Sequence, residues 1–441
     1  MRRAAIVMPM RTPVGLPAGA LGAVAPHRLI ATALSAVLGR SGIDPERIEH
    51  LVTAVPTPEP ARLAADLAGI PPAIGHFPIG AGPGSGLRAL ITAAMMVQAE
   101  TADVVLAVGA EYPRTGTMPG GSGQGQPPPY TAGFARRGDG ESGAPPLISA
   151  RYVGDGDGPA VARAEGAARA ALERVEYLAA HYGITRVQAD EVAAVSHRRA
   201  AKARRQGVFG TETAPVVVCA DPDDMNSDVV QLMDRDEGLR DDVSPRAFST
   251  LLPLLPGGIT TTANSSARTF AASACLVVAE ERLADLDLEP LGYLVGWVNA
   301  AVDPAVPLPA SAEATAKVLS RNGFELGDLD LVEVDESDAV EILALEHLWG
   351  DWDPEDTRLN VHGGAIALGD PGGAAGLRIV TTLLHELSRR EGGRGLAVTA
   401  SGTSQSLAVL FETPHSRPIT PTPRGARFHG SRSRRSGRHR A

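Results

Sequence analysis

Two stretches of the chain repeat one pattern of apolar and polar positions. The first begins at Gly84 and ends in the apolar run 102–110, and the second begins at Ala374 and ends in the run 395–402. Each has an opening of small residues, a predominantly apolar helical segment, a polar break and an apolar segment with strand character. A helix that is apolar on nearly all sides is buried, and a continuous apolar strand is covered on both faces. The pattern therefore predicts a buried helix and a covered strand in each stretch.

A second pair of similar segments precedes these two stretches. In both residues 42–52 and residues 323–332, an amphipathic helix ends, a short loop follows and a strand begins. Two similar halves of alternating strands and helices predict an α/β fold with a duplicated core, in which helices are sandwiched between mixed sheets.

The character of the sequence changes between the halves. Residues 120–146 are rich in Gly, Pro, Ser and Gln and have no periodicity, which predicts a surface loop. Residues 161–207 are strongly helical, with a break at Gly183 and a helix-capping signal at Thr185. We therefore expect an inserted helical subdomain that lies over the core.

Composition narrows the class of protein. The 441 residues suffice for one large duplicated core or for two to three smaller domains. No apolar run reaches the roughly 18–20 residues of a membrane helix, and the apolar start is broken too early, at Pro9, for a signal peptide. The two cysteines, Cys219 and Cys275, form neither a disulfide framework nor a metal-binding spacing. We expect a cytoplasmic protein without a membrane span or a bound metal.

Charge is distributed unevenly along the chain. The net charge is −10, yet residues 416–441 contain eight arginines and no acidic residue. This segment has too few apolar residues to form a core, so we expect residues 414–441 to be a disordered tail. A solvated extension is the favoured interpretation. Binding to nucleic acid or to an anionic surface is the less favoured alternative.

Short motifs along the chain resemble those of the thiolases. These motifs are Arg11–Gly15, Tyr182–Arg186, Asp236–Arg240, Thr262–Ser266 and, most specifically, Asn360–Gly369. The resemblance extends to about residue 413. It implies a duplicated thiolase fold with layers in the order α/β/α/β/α and an inserted helical loop domain. The implied divisions are residues 1–119 for the N-terminal half, 120–248 for the loop domain, 249–269 for completion of the N-terminal half, 270–413 for the C-terminal half and 414–441 for the tail.

The resemblance also locates four catalytic positions, and none holds the family's residue. The nucleophilic cysteine is replaced by Pro83, which has no nucleophile and no N–H for an oxyanion hole. Losing one oxyanion-hole donor costs about 2.7–4 kcal/mol of transition-state stabilisation, while proline still suits the first turn of a helix. The histidine of the Gly-His-Pro motif is replaced by Asp370, the second cysteine by Ala400 and the asparagine by Asp335. We therefore expect neither thiolysis nor Claisen condensation.

Four other residues could in principle substitute for the lost nucleophile or base. Buried free cysteines are common in protein cores, so Cys219 and Cys275 are disfavoured as nucleophiles. Ser85 belongs to the helix start and would need a neighbouring base. His362 lies near the former site, where a structural hydrogen bond is the favoured role.

Asp335 and Asp370 are the pair that keeps an enzymatic function open. The resemblance directs both carboxyl groups, together with Glu336 or Asp338, toward one cavity. Paired carboxyl groups can act as general acid and base, for example in a non-covalent lyase or hydrolase step on an acyl-CoA. The alternatives are sequence drift after loss of function and a solvated acidic cavity.

Ligand and partner expectations follow from the same resemblance. Arg240 and Ser266 occupy positions that border the coenzyme A channel, so coenzyme A or an acyl-CoA is the expected ligand, with no other cofactor. A homodimer or a heterodimer with a thiolase-fold partner is expected, formed through the strand at residues 102–108. Three functions in acyl-CoA and lipid metabolism remain open: a partner subunit, an acyl-CoA-binding protein and a divergent enzyme that uses Asp335 and Asp370.

Overall fold

The computed structural model describes residues 2–80, 82, 84–112, 159–221, 224, 227–240, 243–350, 358–399 and 404–416. Nine strands within these ranges form one mixed sheet in the order β3-β2-β4-β7-β1-β8-β11-β10-β9. The strands are β1 Ala4–Arg11, β2 His50–Ala54, β3 Gly75–Pro78, β4 Val104–Glu111, β7 Ala271–Ala279, β8 Gly292–Ala301, β9 Leu331–Val334, β10 Arg394–Val398 and β11 Gln405–Glu412. A separate two-stranded sheet pairs β5 Val216–Cys219 with β6 Val229–Met233.

The sheet consists of two halves with the same strand order. In the first half β1 is followed by β7, β4 and β2, and in the second half β8 is followed by β11, β10 and β9. The halves join where β1 and β8 pair antiparallel over residues 4–6 and 292–294. The strands of the repeated sequence, β4 and β10, therefore occupy equivalent positions. The predicted duplicated α/β fold is confirmed.

The helices form three layers around the two half-sheets. They are α1 Pro26–Ser41, α2 Glu59–Leu67, α3 Ser85–Gln98, α7 Ala310–Asn322, α8 Ala339–Trp349, α9 Ala365–Leu368 and α10 Ala375–Arg389. The two repeated helices, α3 and α10, share one apolar cluster between the half-sheets, while α1 with α2 and α7 with α8 cover the outer faces. Alternate residues of a strand face opposite sides; in β1, Ile6 packs toward the central helices and Val7 toward α1. This is the predicted α/β/α/β/α order.

Equivalent glycines end the equivalent outer helices. Gly42 follows α1 with φ 70°, and Gly323 follows α7 with φ 75°. Glycine adopts this left-handed conformation without the steric cost of a Cβ and therefore closes helices. The repeat that was visible in the sequence at these two positions is thus a repeated helix stop.

The inserted region contributes α4 Pro159–Tyr182, α5 Arg186–Arg205, the β5–β6 hairpin and α6 Pro245–Phe248. Gly183 separates the two long helices with φ 66°. Thr185 caps α5 through reciprocal hydrogen bonds with Gln188, as its sequence predicts. The Gly/Pro-rich segment 120–146 and the arginine-rich residues 417–441 lie outside the described residues.

The structure changes two expectations about the strands. The expected division at residue 270 assigns β7 to the C-terminal half, whereas β7 lies between β1 and β4 of the N-terminal half. After the inserted region, the chain returns to fill this place in the first half-sheet. The expectation that subunits pair through residues 102–108 is wrong, because β4 already pairs with β2 on one side and β7 on the other.

Candidate functional site

Asp335 lies at the carboxyl end of β9. Its backbone N–H donates to the carbonyl oxygen of Val398 in β10 at 2.8 Å, which extends the pairing of the two strands by one residue. Val332 and Val334 pack into the outer apolar cluster. Because side chains alternate along a strand, Glu333 and Asp335 face the other side, toward α10. Both carboxyl groups are buried there.

Asp370 lies in the loop that leads into α10. Its N–H donates to the carbonyl oxygen of Ala267 at 2.7 Å, and its own carbonyl accepts the N–H of Thr269 at 3.0 Å. The preceding Gly369 has φ 99°, and a Cβ there would lie 2.2 Å from Thr269 Cγ2. The Asp370 carboxylate accepts the N–H of Gly372 at 2.9 Å. The two backbone hydrogen bonds with segment 267–269 thus fix the position of the Asp370 backbone.

The two carboxyl groups influence each other. Burial raises the pKa of Asp335 to about 8, the nearby charge of Asp370 adds to the rise, and the Arg378 guanidinium opposes it. Removal of a carboxylate from water favours its neutral form, and a second carboxylate nearby does the same. At neutral pH Asp335 is therefore mostly a protonated acid that can donate a hydrogen bond or a proton.

Arg378 lies beside this pair with its side chain 1% exposed. Its Nη2 is 3.6 Å from Asp335 Oδ1, a distance within electrostatic range but too long for a good hydrogen bond. None of its three nitrogens has a hydrogen-bond partner among the described residues. Burial raises the pKa of Glu333 well above its ordinary value, although Arg378 opposes the rise. The site therefore combines one buried cation with two carboxyl groups whose ionised forms are disfavoured.

The other two acids that were expected in the cavity have structural partners. Glu336 accepts hydrogen bonds from Ser196 Oγ at 2.7 Å and from Asn360 Nδ2 at 2.8 Å. Asp338 caps α8 by accepting the N–H of Glu341 at 2.9 Å. A side chain that caps a helix satisfies a backbone donor that the helix leaves unpaired. The candidate acid–base constellation therefore narrows to Asp335 and Asp370.

A second ion pair lies next to the Asp370 loop. Arg268 Nη2 is 2.7 Å from Glu111 Oε1, and the backbone of Arg268 bridges that of Asp370. Glu111 also accepts a long hydrogen bond from the N–H of Gly373 at 3.4 Å. The Arg268 side chain is 25% exposed. This arrangement puts a partly accessible cation beside Asp370.

Two of the four positions derived from the resemblance, Pro83 and Ala400, lie outside the described residues. Their chain neighbours are described and lie close together. A Cβ built on Gly84, which opens α3, would lie 3.4 Å from Thr399 Cγ2. The start of α3 and the end of β10 therefore approach each other, which is consistent with one shared cavity.

The substitute nucleophiles have no supporting geometry. Cys275 is fully buried in the interior strand β7, and burial raises the pKa of its thiol to about 12. Cys219 is buried in the β5–β6 hairpin of the inserted region. Ser85 is buried, and its hydroxyl oxygen has no partner among the described residues, hence no base. His362 Nε2 lies 2.8 Å from Glu386 Oε2, which agrees with a structural histidine.

The two residues expected to border a coenzyme channel are in different environments. The Ser266 hydroxyl donates to the carbonyl oxygen of Ser337 at 3.1 Å, and the residue is 1% exposed. Ser266 thus clamps the segment that follows Asp335. Arg240 is half-buried close to His197, whose pKa is lowered to about 4 by burial and further by the Arg240 charge. Arg240 remains the candidate for contact with a charged ligand.

Sequence reasoning did not assign a role to Arg378, Glu333 or Arg268. Glu333 carried a usable signal, since it is a lone charge inside the apolar strand Leu331–Val334. Arg378 is part of the repeated helical segment, where its counterpart is Arg88. Only the structure distinguishes them, because Arg378 is fully buried and Arg88 is half-buried.

Comparison with known protein families decides the relationship. The model of the thiolase N-terminal domain matches residues 4–115 and 168–281, and that of the thiolase C-terminal domain matches residues 288–413. The chain belongs to the thiolase family. The first model breaks off between residues 115 and 168, where the Gly/Pro-rich segment of the inserted region occurs.

Curated thiolase relatives match almost over their full length. An acetyl-CoA acetyltransferase of Cupriavidus necator is 34% identical over an alignment of 426 positions that covers 92% of this chain and 98% of the relative. An acetyl-CoA acetyltransferase of Paracoccus denitrificans is 32% identical over an alignment of 420 positions that covers 94% of this chain and 100% of the relative.

Solved thiolase structures have the same fold. The Bacillus anthracis acetyl-CoA acetyltransferase superposes with a TM-score of 0.76 at 28% identity and covers 94% of this chain and 99% of its own. Human mitochondrial 3-ketoacyl-CoA thiolase in complex with CoA superposes with a TM-score of 0.75 at 26% identity and covers 93% and 98%. In the described part of the present chain, no helix is long and apolar enough to cross a membrane.

Proposed function

We propose that this thiolase-family protein acts in acyl-CoA metabolism by binding an acyl-CoA thioester without forming a covalent acyl-enzyme. The positions of its two cysteines carry the proposal. Cys275 lies in a central strand, where burial raises the pKa of the thiol to about 12, and Cys219 lies in the inserted hairpin. A covalent thiolase step needs an accessible thiolate, and the family position for that group holds Pro83.

Retention of the ligand is supported by the relatives and by the ordered site. Homologues at 30–34% identity are acetyl-CoA acetyltransferases and acyltransferases, and one structural neighbour was solved with CoA. The segment 264–266 is held firmly here, because Asn264 bonds to Asp190 and Thr261 while Ser266 bonds to Ser337. Hydrogen bonds therefore fix segment 264–266, which contacts the residues that follow Asp335.

Mass spectrometry tests the covalent part of the proposal. The protein is mixed with acetyl-CoA and longer acyl-CoAs, quenched in acid and weighed intact, with the Cupriavidus necator relative as the positive control. We expect an acyl adduct on the control and none on this protein. An adduct at any residue of this chain would overturn the proposal.

Calorimetry tests the binding part. Coenzyme A is titrated into the wild-type protein, Arg240→Ala and Arg246→Ala, whose side chain is exposed on α6. Loss of one charge-assisted contact of about 1.4 kcal/mol weakens binding about tenfold, so Arg240→Ala is expected to weaken affinity by that factor and Arg246→Ala to leave it within twofold. No saturation of the wild-type protein at millimolar coenzyme A would contradict the proposal.

A second candidate function is proton-transfer catalysis by Asp335 and Asp370. The observation that favours it is the pKa of Asp335, which burial and Asp370 raise to about 8. A protonated Asp335 and a second carboxyl group, Asp370, within electrostatic range of it can supply an acid and a base at neutral pH. Such a pair suits a hydrolase or lyase step in which no bond to the protein forms.

A panel of acyl-CoA assays for thiolysis, condensation, hydrolysis and lyase steps tests this candidate. We expect hydrolysis or lyase turnover that falls about 100-fold in both Asp335→Asn and Asp370→Asn, the typical contribution of a positioned acid or base. Asp338→Asn keeps a helix cap and serves as the control. Turnover that survives both substitutions, or no turnover with any substrate, would remove the candidate.

The assembly and the location of the protein remain proposals. We propose a dimer with a second copy or with a catalytically intact thiolase-fold partner, and a cytoplasmic location. Purification of the tagged protein from its native host, followed by mass measurement under native conditions, distinguishes the two dimers from a monomer. A monomer under all conditions would contradict both.

A further inference from the structure

Helix α10 is amphipathic although it lies in the central layer of the molecule. Leu377, Val380 and Leu384 of one face pack into the apolar cluster shared with α3. The opposite face presents Arg378, Thr382 and Glu386, which follow one another at intervals of four residues and therefore form one line along the helix. All three are buried. We call this line the polar stripe of α10.

Polar side chains from other elements cover the stripe along its whole length. Arg378 faces Asp335 at its inner end. Thr382 Oγ1 donates to Glu212 Oε1 at 3.1 Å in the middle. At the outer end, Glu386 lies 2.8 Å from His362, and Arg389 of the same helix lies 2.5 Å from Glu386. The Arg389 side chain is 32% exposed, so the outer end reaches the surface.

The inner and middle parts of the stripe contain several buried polar atoms that have no hydrogen-bond partner among the described residues. They are Asp335 Oδ1, Glu333 Oε2, Glu212 Oε2 and the three guanidinium nitrogens of Arg378, judged against the described residues. Buried polar atoms are nearly always hydrogen-bonded to protein or water. Atoms that protein groups leave unpaired, grouped in one polar region, are where buried waters bind.

The carboxyl groups along this line are arranged for a relay. Glu333 and Asp335 project from the same face of β9 two residues apart, which corresponds to about 6.6 Å along a strand. This is the spacing of the Cα atoms, and one or two waters can connect carboxyl groups that project from one strand face at that spacing. The charge of Glu333 is influenced by Arg378, Glu212 and Glu386. Glu333 thus interacts electrostatically with charged groups at the inner end, in the middle and at the outer end of the stripe.

We propose that the polar stripe of α10 is a water-lined path that carries protons between Asp335 and the surface at Glu386 and His362. A proton that leaves Asp335 passes to a water and then to one oxygen of Glu333, while the other Glu333 oxygen releases its own proton to the next water toward Thr382. The net result is one carboxylate at Asp335 and one proton in bulk water. Arg378 does not exchange a proton; it orients the waters and balances charge.

The path rests on the second proposed function only in requiring that Asp335 holds a proton, and it does not require turnover. Asp335 is faced by Asp370 from the loop before α10, by Arg378 from α10, by Glu341 from α8 and by Glu336 from its own segment. Such a path would allow Asp335 to be reprotonated from bulk water while a bound acyl-CoA blocks direct solvent access to its carboxyl group.

Hydrogen–deuterium exchange followed by infrared spectroscopy tests the path. The C=O stretching band of protonated Asp335 is identified as the band that disappears in Asp335→Asn, and its isotope shift after transfer to D₂O gives an exchange rate. Removing a positioned proton carrier costs about 100-fold, so we expect Glu333→Gln to slow the exchange by about that factor. Thr382→Val should slow it to a smaller extent.

Thr381→Val is the matched control. Thr381 is buried beside Thr382, but its hydroxyl donates to Leu377 of its own helix, so the exchange rate should not change. Glu333→Asp keeps a carboxyl group and should restore much of the rate, which guards against a general folding defect in Glu333→Gln. An Asp335 band that exchanges at the same rate in the wild type, Glu333→Gln and Thr382→Val would overturn the path alone. Absence of the Asp335 band from the wild type would overturn both the path and the acid–base function.

Discussion

Among the described residues, Arg11 and Arg378 are both almost completely buried, each 1% exposed, and they differ in their hydrogen bonds and partners. Arg11, at the end of β1, donates to Glu212 at 2.6 Å and to Asp236 at 2.7 and 3.1 Å. Its guanidinium also lies 5.1 Å from the ring centre of Phe209. Arg378, in the first turn of α10, has one carboxylate at 3.6 Å and no hydrogen bond within the described ranges.

The difference separates a structural charge from a functional one. Burial of a charge costs several kcal/mol unless hydrogen bonds replace those lost from water. Arg11 recovers this cost and ties β1 to two segments of the inserted region, so its role is to hold the parts together. Arg378 recovers little from the protein itself. Proteins tolerate such a deficit mainly at functional sites, and Arg378 lies beside the Asp335–Asp370 pair.

Removal of Arg11 tests the structural side of this comparison and should have the largest effect. In Arg11→Met, Glu212 and Asp236 are left buried without their cation, so we expect the free energy of unfolding to fall by about 3–5 kcal/mol. Urea denaturation measures it. Arg3→Met, one residue before the same strand, removes partly exposed ion pairs to Glu280 and Glu412, and should cost less than about 1 kcal/mol.

Comparable losses in the two variants would refute the structural assignment of Arg11. The structural assignment would also be refuted if Arg11→Met had the same urea midpoint of unfolding as the wild type. In either case the hydrogen bonds of Arg11 would not distinguish it from a surface arginine, and the contrast with Arg378 would lose its meaning.

The pH dependence of stability tests the functional side. The pKa of Asp335 is raised by folding to about 8, so between its ordinary value and pH 8 the folded state binds more protons than the unfolded state. The unfolding free energy contributed by this group therefore falls as pH rises through that window and levels off above it. Asp335→Asn has no carboxyl group at this position, so its unfolding free energy should not fall over this pH window for that reason. Between pH 5 and pH 8 we expect the unfolding free energy of Asp335→Asn to rise by about 3 kcal/mol relative to that of the wild type.

Urea denaturation of both proteins at pH 5, 6.5 and 8 measures the difference. Asp335→Glu keeps a buried carboxyl group and should retain the wild-type trend. A stability difference between Asp335→Asn and the wild type that stays constant over this range would mean that Asp335 is already ionised at pH 5.

The sequence was sufficient for the fold because the repeat is encoded in local patterns. The small residues at the starts of α3 and α10 permit close approach: a Cβ on Gly86 would lie 2.7 Å from the carbonyl oxygen of Gly373. The apolar strands and the helix-ending glycines, Gly42 and Gly323, also specify their own conformations. By contrast, the place of β7 depends on a chain that leaves and returns, and no local pattern encodes that.

The site was only partly predictable for the same reason. Asp335 and Asp370 could be named from motifs, since each replaces a residue within a recognisable segment. The partners of Glu336 and Asp338, however, come from distant residues, such as Ser196 in the inserted helix α5. Arg378 and Arg88 have the same local sequence context, and only the covering of α10 by the inserted region and β9 makes one of them buried.

The pair Arg378 and Arg88 provides the test with the smallest expected effect. The Arg378 charge lowers the pKa of Asp335, against burial and Asp370, which raise it. We therefore expect Arg378→Met to move the infrared titration midpoint of Asp335 upward by about one pH unit, equivalent to about 1.4 kcal/mol, while Arg88→Met leaves it unchanged. Equal midpoints in all three proteins would show that Arg378 is electrostatically isolated from the carboxyl pair. A downward shift would mean that Arg378 holds the proton on Asp335 in place through an ordered water, because loss of that water would then favour the carboxylate.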